Sequence, residues 1–251
     1  MTEDFKIVIP ARYSSSRFPG KPLADIHGKP MIQRVYEAAV DAGASEVVVA
    51  TDSTLVGMAA EEFGATVCMT LEEHVSGTDR LCEVVDKFAW SDDTVVVNVQ
   101  GDEPLTPPKI INQVAVDLIK NSKAGCATLY TGLSREQAAN PNIVKVVTDV
   151  NNYAMYFSRS VIPYIRETDE SSVSEPVYKR HIGLYAYRVD LLKSFQTMEP
   201  CELEQAEKLE QLRLMWNGVR IHVSKASSIP GHGVDTPEDL EKVKAAIAPT
   251  S

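Results

Sequence analysis

Short β-branched, apolar runs alternate with amphipathic stretches through the first half of the chain. Residues 5–9 (FKIVI), 45–52 (SEVVVATD), 65–70 (ATVCMT) and 94–104 (TVVVNVQGDEP) each end in polar, Gly or Pro positions. That pattern predicts buried parallel strands rather than half-solvated ones. Between them the period changes to that of a helix. Met31, Ile32, Val35, Tyr36, Ala39 and Val40 fall on one face, and residues 79–90 (DRLCEVVDKFAW) place Leu81, Val84, Val85 and Phe88 on another. A strand–helix–strand rhythm with short connections predicts a three-layer α/β/α sandwich around a mostly parallel, Rossmann-like sheet.

The rhythm shifts near residue 126. Residues 142–160 (NIVKVVTDVNNYAMYFSRS) read as two extended runs around an Asp-Val-Asn-Asn turn, and residues 181–189 (HIGLYAYRV) alternate, with His181, Gly183, Tyr185 and Tyr187 on one side. These predict a smaller antiparallel subdomain against the edge of the main sheet, joined by a mobile loop over residues 166–179 (RETDESSVSEPVYK). Helical patterns return at residues 201–216 and 236–247, with a strand at 220–226 (RIHVSKA) between them. The chain is thus expected to form a single domain over residues 1–251. Within it the pattern divides at residues 1–125, 126–200 and 201–251, the last segment returning to the main sheet.

The chain has 251 residues, 44% of them hydrophobic, which is enough for a substantial core. A formal net charge of −10 disfavours nucleic acid and anionic membrane surfaces as partners. The N-terminal residues lack the basic start and long apolar core of a secretory signal, and no apolar run has the length of a membrane span. The four cysteines show no metal-ligand or CxxC spacing. A soluble, cytoplasmic protein with reduced thiols is expected.

Chemistry concentrates first in residues 10–23 (PARYSSSRFPGKPL), directly after the first strand. Ligands of open α/β sheets bind at the carboxyl ends of the strands. The segment is neither a Walker A loop nor a GxGxxG fingerprint. It offers Arg12, Arg17 and Lys21 beside Ser14, Ser15 and Ser16, whose small side chains let backbone N–H groups approach a polyphosphate. A solvated basic turn is the plainer alternative. Asp102 follows the strand TVVVNV and is expected at the same end of the sheet, while Asp235 opens a helix whose Thr236, Pro237 and Asp239 resemble a capping box.

Taken together, PARYSSSRFPGKPLADIHGKPMIQRV, VATD, SGTDRL, VNVQGDEP, NPNIVKVV, YFSRSVIP, HIGLYAY, LEQLR and GVDTPEDLE resemble, in order and nearly end to end, the 3-deoxy-manno-octulosonate cytidylyltransferases, or CMP-KDO synthetases. The resemblance implies transfer of CMP from CTP to the anomeric hydroxyl of the sugar acid KDO, releasing pyrophosphate, for lipopolysaccharide synthesis. It implies Mg2+ as cofactor, held by Asp102 and Asp235, and a homodimer, with residues 1–125 carrying the nucleotide and 126–200 the acceptor and dimer contacts. Lys21, Arg12 and Asp102 would be catalytic, with Ser14, Ser15 and Arg17 shaping the phosphate loop. Thr51, Asp52, Ser76, Gly77, Thr78 and Arg80 would surround the cytosine side of CTP, with Gln100 near the ribose and the sugar. Arg159, His181, Tyr185, Glu210 and Gln211 would take the KDO, the arginine clamping its carboxylate. The residues themselves leave duller readings open: Ser76 and Thr78 as helix caps, Tyr185 and Tyr187 as strand aromatics, and Glu210 as one more surface charge. Other keto sugar acids, such as 8-amino-KDO or a sialic acid, are alternative acceptors. A glycosyltransferase is disfavoured because no two aspartates stand two positions apart, and a silent nucleotide-binding regulator would not need Lys21, Asp102 and Asp235 together.

Overall fold

The computed structural model describes residues 4–14, 17–74, 76–166 and 177–247. Strand β1 (Lys6–Pro10) leads through the basic loop into a small hairpin, β2 (Asp25–Ile26) and β3 (Lys29–Pro30), which turns at His27 and Gly28, both at positive φ. Helix α1 (Met31–Asp41) follows, then β4 (Glu46–Thr51), α2 (Thr54–Glu62), β5 (Thr66–Met69), α3 (Gly77–Phe88), β6 (Val95–Asn98) and α4 (Pro108–Lys120). Strand β7 (Cys126–Leu133), the short helix α5 (Arg135–Ala138), β8 (Lys145–Thr148), β9 (Ala154–Ser158) and β10 (Tyr178–Arg188) form the middle of the chain. Helices α6 (Val189–Phe195), α7 (Glu202–Glu207) and α8 (Gln211–Trp216), strand β11 (Ile221–Lys225) and helix α9 (Pro237–Ala246) complete it.

One nine-stranded sheet runs β11-β7-β10-β6-β1-β4-β5, with β8 and β9 branching from β10. β1 pairs in parallel with both β4 and β6, and β4 with β5. Along β1 the side chains divide strictly between the two faces. Ile7 and Ile9 pack with Ile32, Val35, Ile110 and Val114 of α1 and α4, whereas Val8 packs with Leu81, Val84 and Val85 of α3. Burial on both faces is why these strands read as continuous apolar runs.

Three details differ from the sequence expectation. β10 lies inside the sheet, antiparallel to both β6 and β7, and only β8 and β9 extend from it as an antiparallel flap. Alternation alone does not distinguish an inserted antiparallel strand from one in a separate layer. Val40 is exposed rather than inward, because its place on α1 lies beyond the apolar stripe of Ile32, Val35 and Ala39. The helical pattern of residues 201–216 is broken at Lys208, which adopts a left-handed φ of 54° and separates α7 from α8. Most of the loop expected to be mobile, residues 167–176, lies outside the described residues.

Candidate active site

The basic loop is fixed by its own backbone. Gly20 takes a left-handed φ of 71°, its N–H donates to the Tyr13 carbonyl at 2.9 Å, and Leu23 and Ala24 close a 3-10 turn beginning at Lys21. A non-glycine residue at that φ would be strained. The turn aims Lys21 inward, and its side chain is only 13% exposed. The Lys21 ammonium lies 2.5 Å from Asp102 Oδ2, donates to the Val234 carbonyl at 3.0 Å and stands 3.7 Å from Asp235 Oδ1. Arg17 reaches the same Asp235 oxygen at 3.0 Å.

Asp235 arrives there although it is far from Asp102 in sequence. Val234 donates its N–H to the Asp102 carbonyl at 2.8 Å and buries its side chain among Ile26, Met31, Leu240 and Val243. The capping box of α9 is made by Thr236 and Asp239, so the Asp235 carboxylate is left to face the cations. Gly101 makes the approach of β1 and the Asp102 turn possible: a Cβ there would sit 2.8 Å from the Pro10 carbonyl.

These groups line a cavity of about 470 Å³ at the carboxyl ends of β1 and β6. Arg12, Arg17, Lys21, Asp102 and Asp235 line it together with Ser14, Ser76, Gly77, Arg80 and Gln100. Ser15 lies outside the described residues. Thr51 and Asp52 do not line the cavity. Thr51 is fully buried beneath it, and Asp52 accepts a 2.8 Å bond from the Arg80 guanidinium, which also donates to Thr70 Oγ1. Both members of that ion pair are buried. Ser76 caps α3 in a reciprocal box with Asp79 while its residue still borders the cavity.

Two carboxylates answering one ammonium form the donor set that magnesium takes when water and phosphate oxygens complete its octahedron. Among the described residues no cluster of three or more His, Cys, Asp or Glu side chains converges. Asp102 and Asp235 therefore fit an ion that keeps most of its sites for water and substrate.

A second cavity, of about 110 Å³, adjoins the first and shares Gln100 with it. Tyr185, Tyr187, Glu210, Gln211, Asn98 and Thr78 border it. The Tyr185 hydroxyl and Gln211 Nε2 are buried there without hydrogen-bond partners among the described residues, which marks a polar site awaiting a polar ligand. Burial pushes the Tyr185 phenol well above its ordinary range and keeps it a donor. Thr78, expected on the nucleotide side, borders this cavity instead, where its hydroxyl donates to Glu210 Oε2 at 2.6 Å.

Arg159 and His181 border neither cavity. The Arg159 guanidinium donates to the carbonyls of Glu207 and Pro141, at 2.7 and 3.1 Å, and its own N–H binds the Glu207 carboxylate. His181 stacks edge-on to Phe157 and tilts against Tyr185, and burial lowers its pKa to about 3, so the ring is neutral. Its Nε2 lies 3.1 Å from the Thr128 hydroxyl, whose single proton serves the carbonyls of Ile182 and Leu184. The Thr128 oxygen therefore accepts from Nε2–H.

Sequence reasoning passed over Asn98, Gly101 and Glu83. Asn98 announces itself as the one polar residue within the apolar run TVVVNV. Glu83 accepts from the Leu71 N–H at 2.9 Å and from His74 and Lys87 at 2.5 and 2.7 Å, and so anchors the loop that leads into Ser76. Burial would raise its carboxyl, but these bonds outweigh burial and bring its pKa down to about 2.

A parallel sheet with a rigid cationic loop over a pair of aspartates, beside a smaller polar cavity, defines a nucleotide-dependent transferase. The cytidylyltransferase family model matches residues 6–221. A 3-deoxy-manno-octulosonate cytidylyltransferase of Vibrio campbellii is 55% identical, covering 97% of this chain and 98% of that one, and its namesake in Haemophilus influenzae is 52% identical with the same coverage. A solved CMP:2-keto-3-deoxy-manno-octonic acid synthetase complexed with CTP superposes with a TM-score of 0.89 at 46% identity, covering 98% of both chains. A nucleotidyl transferase from Methanothermobacter thermautotroptrophicus shares the fold alone, with a TM-score of 0.62 at 16% identity. The chain belongs to the 3-deoxy-manno-octulosonate cytidylyltransferase family.

Proposed function

We propose that the chain transfers CMP from CTP to the anomeric hydroxyl of KDO, giving CMP-KDO and pyrophosphate as a step toward lipopolysaccharide. The observation that carries this reading is the junction at Gln100 of a cationic cavity sized for a triphosphate with a smaller cavity holding unpartnered buried polar groups. The transferred phosphoryl group lies at that junction, so the acceptor hydroxyl approaches the α-phosphorus from one cavity while pyrophosphate leaves into the other.

Charge builds on the phosphoryl oxygens and on the departing pyrophosphate during this step, and catalysis consists largely of positioning and neutralising it. Lys21, held rigid by the 3-10 turn and largely out of water, presents a compact charge to the reacting phosphate. Arg12 and Arg17, which are exposed and therefore adaptable, neutralise the β- and γ-phosphates. Asp102 and Asp235 would hold magnesium, which when bound would screen the phosphates and acidify the attacking hydroxyl. Tyr185 donates to the sugar acid, and Glu210 accepts from one of its hydroxyls. The Asp52–Arg80 pair keeps the α3 N-terminus at a fixed distance from the base.

Two copies are proposed to pair. Two-fold assembly is the commonest oligomeric state, and Val150, Met155 and Tyr164, at 94%, 64% and 85% exposure, give the flap an apolar surface that a partner would cover. A cytoplasmic location is proposed on the four buried free cysteines. Among the described residues no helix is long and apolar enough to cross a membrane.

The test is incubation of the purified protein with CTP, magnesium and a panel of keto sugar acids, with the CMP-linked product identified by mass spectrometry. CMP-KDO with stoichiometric pyrophosphate is expected. Product from UTP or ATP but not from CTP would overturn the base assignment, and turnover of a sialic acid in preference to KDO would overturn the acceptor.

A further inference from the structure

The first turn of α3 stands between the two cavities and serves both. Ser76 and Gly77 border the nucleotide cavity, whereas Thr78, the next residue, faces the other way and is 4% exposed. This divergence follows from the helix itself, since successive side chains are set about 100° apart. The Thr78 hydroxyl donates to Glu210 Oε2 at 2.6 Å across 132 residues of sequence.

Among the described residues no other side chain hydrogen-bonds the Glu210 carboxylate. Glu210 precedes α8 at the N-cap position but makes no side-chain cap bond, and Arg213, one turn on, is committed to Glu204 through two bonds of 2.8 and 2.6 Å. Among the described residues Thr78 is the one hydrogen-bond donor to the Glu210 carboxylate, and Glu210 itself borders the cavity. A carboxylate pinned through one oxygen is oriented to accept from a ligand hydroxyl; without the pin it could rotate or swing into water.

We infer that Thr78 is a positioning residue for the acceptor, acting through Glu210, and not a contact to the nucleotide. This rests on the reading of the second cavity as the sugar-acid site. It also makes α3 the mechanical link between the sites, because the segment that borders CTP through Gly77 aims the acceptor's carboxylate partner through Thr78.

The experiment compares Thr78→Val, which keeps the shape but removes the donor, Thr78→Ser, which keeps the donor, and Glu210→Gln, in the full-length protein. CTP affinity is measured by calorimetry, separately from steady-state kinetics in each substrate. Loss of one hydrogen bond to a charged group predicts a rise of roughly ten- to a hundredfold in KM for KDO, or an equal fall in kcat/KM for it, in Thr78→Val. Thr78→Ser should recover most of this, and CTP affinity should stay within about twofold of wild type in all three. Thr78→Val added to Glu210→Ala should cost little more than Glu210→Ala alone, since the alanine already lacks the group that Thr78 positions. Weaker CTP binding with an unchanged KM for KDO in Thr78→Val would overturn the inference and return the residue to the nucleotide side. If Glu210→Gln is impaired and Thr78→Val is not, the positioning role alone fails. If Glu210→Gln leaves acceptor kinetics untouched, the acceptor reading of the cavity fails and takes this inference with it.

Discussion

Lys21 and Asp102 meet at 2.5 Å, 81 residues apart in sequence, and the same ammonium stands 3.7 Å from Asp235. One lysine therefore pairs with both carboxylates, sharing Asp235 with Arg17, until a phosphate competes for it. Lys21→Ala should lower turnover about a hundred- to a thousandfold, as removal of a preorganised electrostatic group does, while changing the KM for the sugar acid little. Steady-state kinetics with each substrate varied in turn will show this. An unchanged kcat would return the loop to an ordinary solvated basic turn.

The two aspartates carry a separable prediction. Because Thr236 and Asp239 make the α9 cap, Asp235→Asn should leave the thermal midpoint unchanged while abolishing most activity. Asp102→Asn should do the same, with a modest stability change from its lost pairing with Lys21. Wild-type activity should vanish in EDTA and return with excess magnesium. Near-normal rates and an unaltered magnesium requirement in Asp235→Asn would make that residue a bystander at the helix start.

The Asp52–Arg80 pair predicts stability instead. Their side chains are 5% and 1% exposed, so Asp52→Asn leaves a buried guanidinium without its counter-ion. Breaking a buried pair from one side typically costs about 3–5 kcal/mol. Removing Asp92 from its exposed pair with Lys193 should cost less than about 1 kcal/mol. Urea unfolding of the two variants gives the comparison, and equal midpoints would show that the buried pair contributes nothing special.

The layers of the fold were legible because both-face burial leaves unbroken apolar runs such as TVVVNV, and the helix between two such runs has only one sensible side. The position of β10 was not, since pairing partners are a tertiary choice that alternation does not encode. The phosphate loop was legible because charge, glycine and serine cluster within one short segment. Gly101 was not singled out: its need for a missing Cβ becomes visible only when the Pro10 carbonyl is placed 2.8 Å away. Thr78 borders the second cavity and not the one its neighbours Ser76 and Gly77 border, for a similar reason. The motif SGTDRL lies beside the nucleotide in sequence, but one helical step rotates the threonine out of the set it belongs to by spelling.

His181 yields the pH prediction. Its ring packs against Phe157 and Tyr185 and bonds the Thr128 hydroxyl, and burial lowers its pKa to about 3 from an ordinary value of 6.5. Above pH 6.5 both folded and unfolded chains hold this imidazole neutral, so its contribution to stability is complete there. As pH falls below 6.5 the unfolded chain gains a proton that the folded chain refuses, and stability drains away progressively until about pH 3, where the folded ring protonates too. The slope from this one group approaches about 1.4 kcal/mol per pH unit in the middle of that window. His222, also lowered by burial, adds a loss of the same sign, so His181→Gln should remove one contribution and leave the other. Urea titrations of wild type and variant between pH 7 and pH 5 should therefore show a shallower loss of stability in the variant. Because the ring stays neutral through this range, the pH–rate profile should show no acid limb that disappears with His181→Gln. Parallel stability slopes in the two proteins would mean that water reaches the ring and that its pKa is ordinary, and a vanished acid limb would make His181 a proton carrier rather than a packing residue.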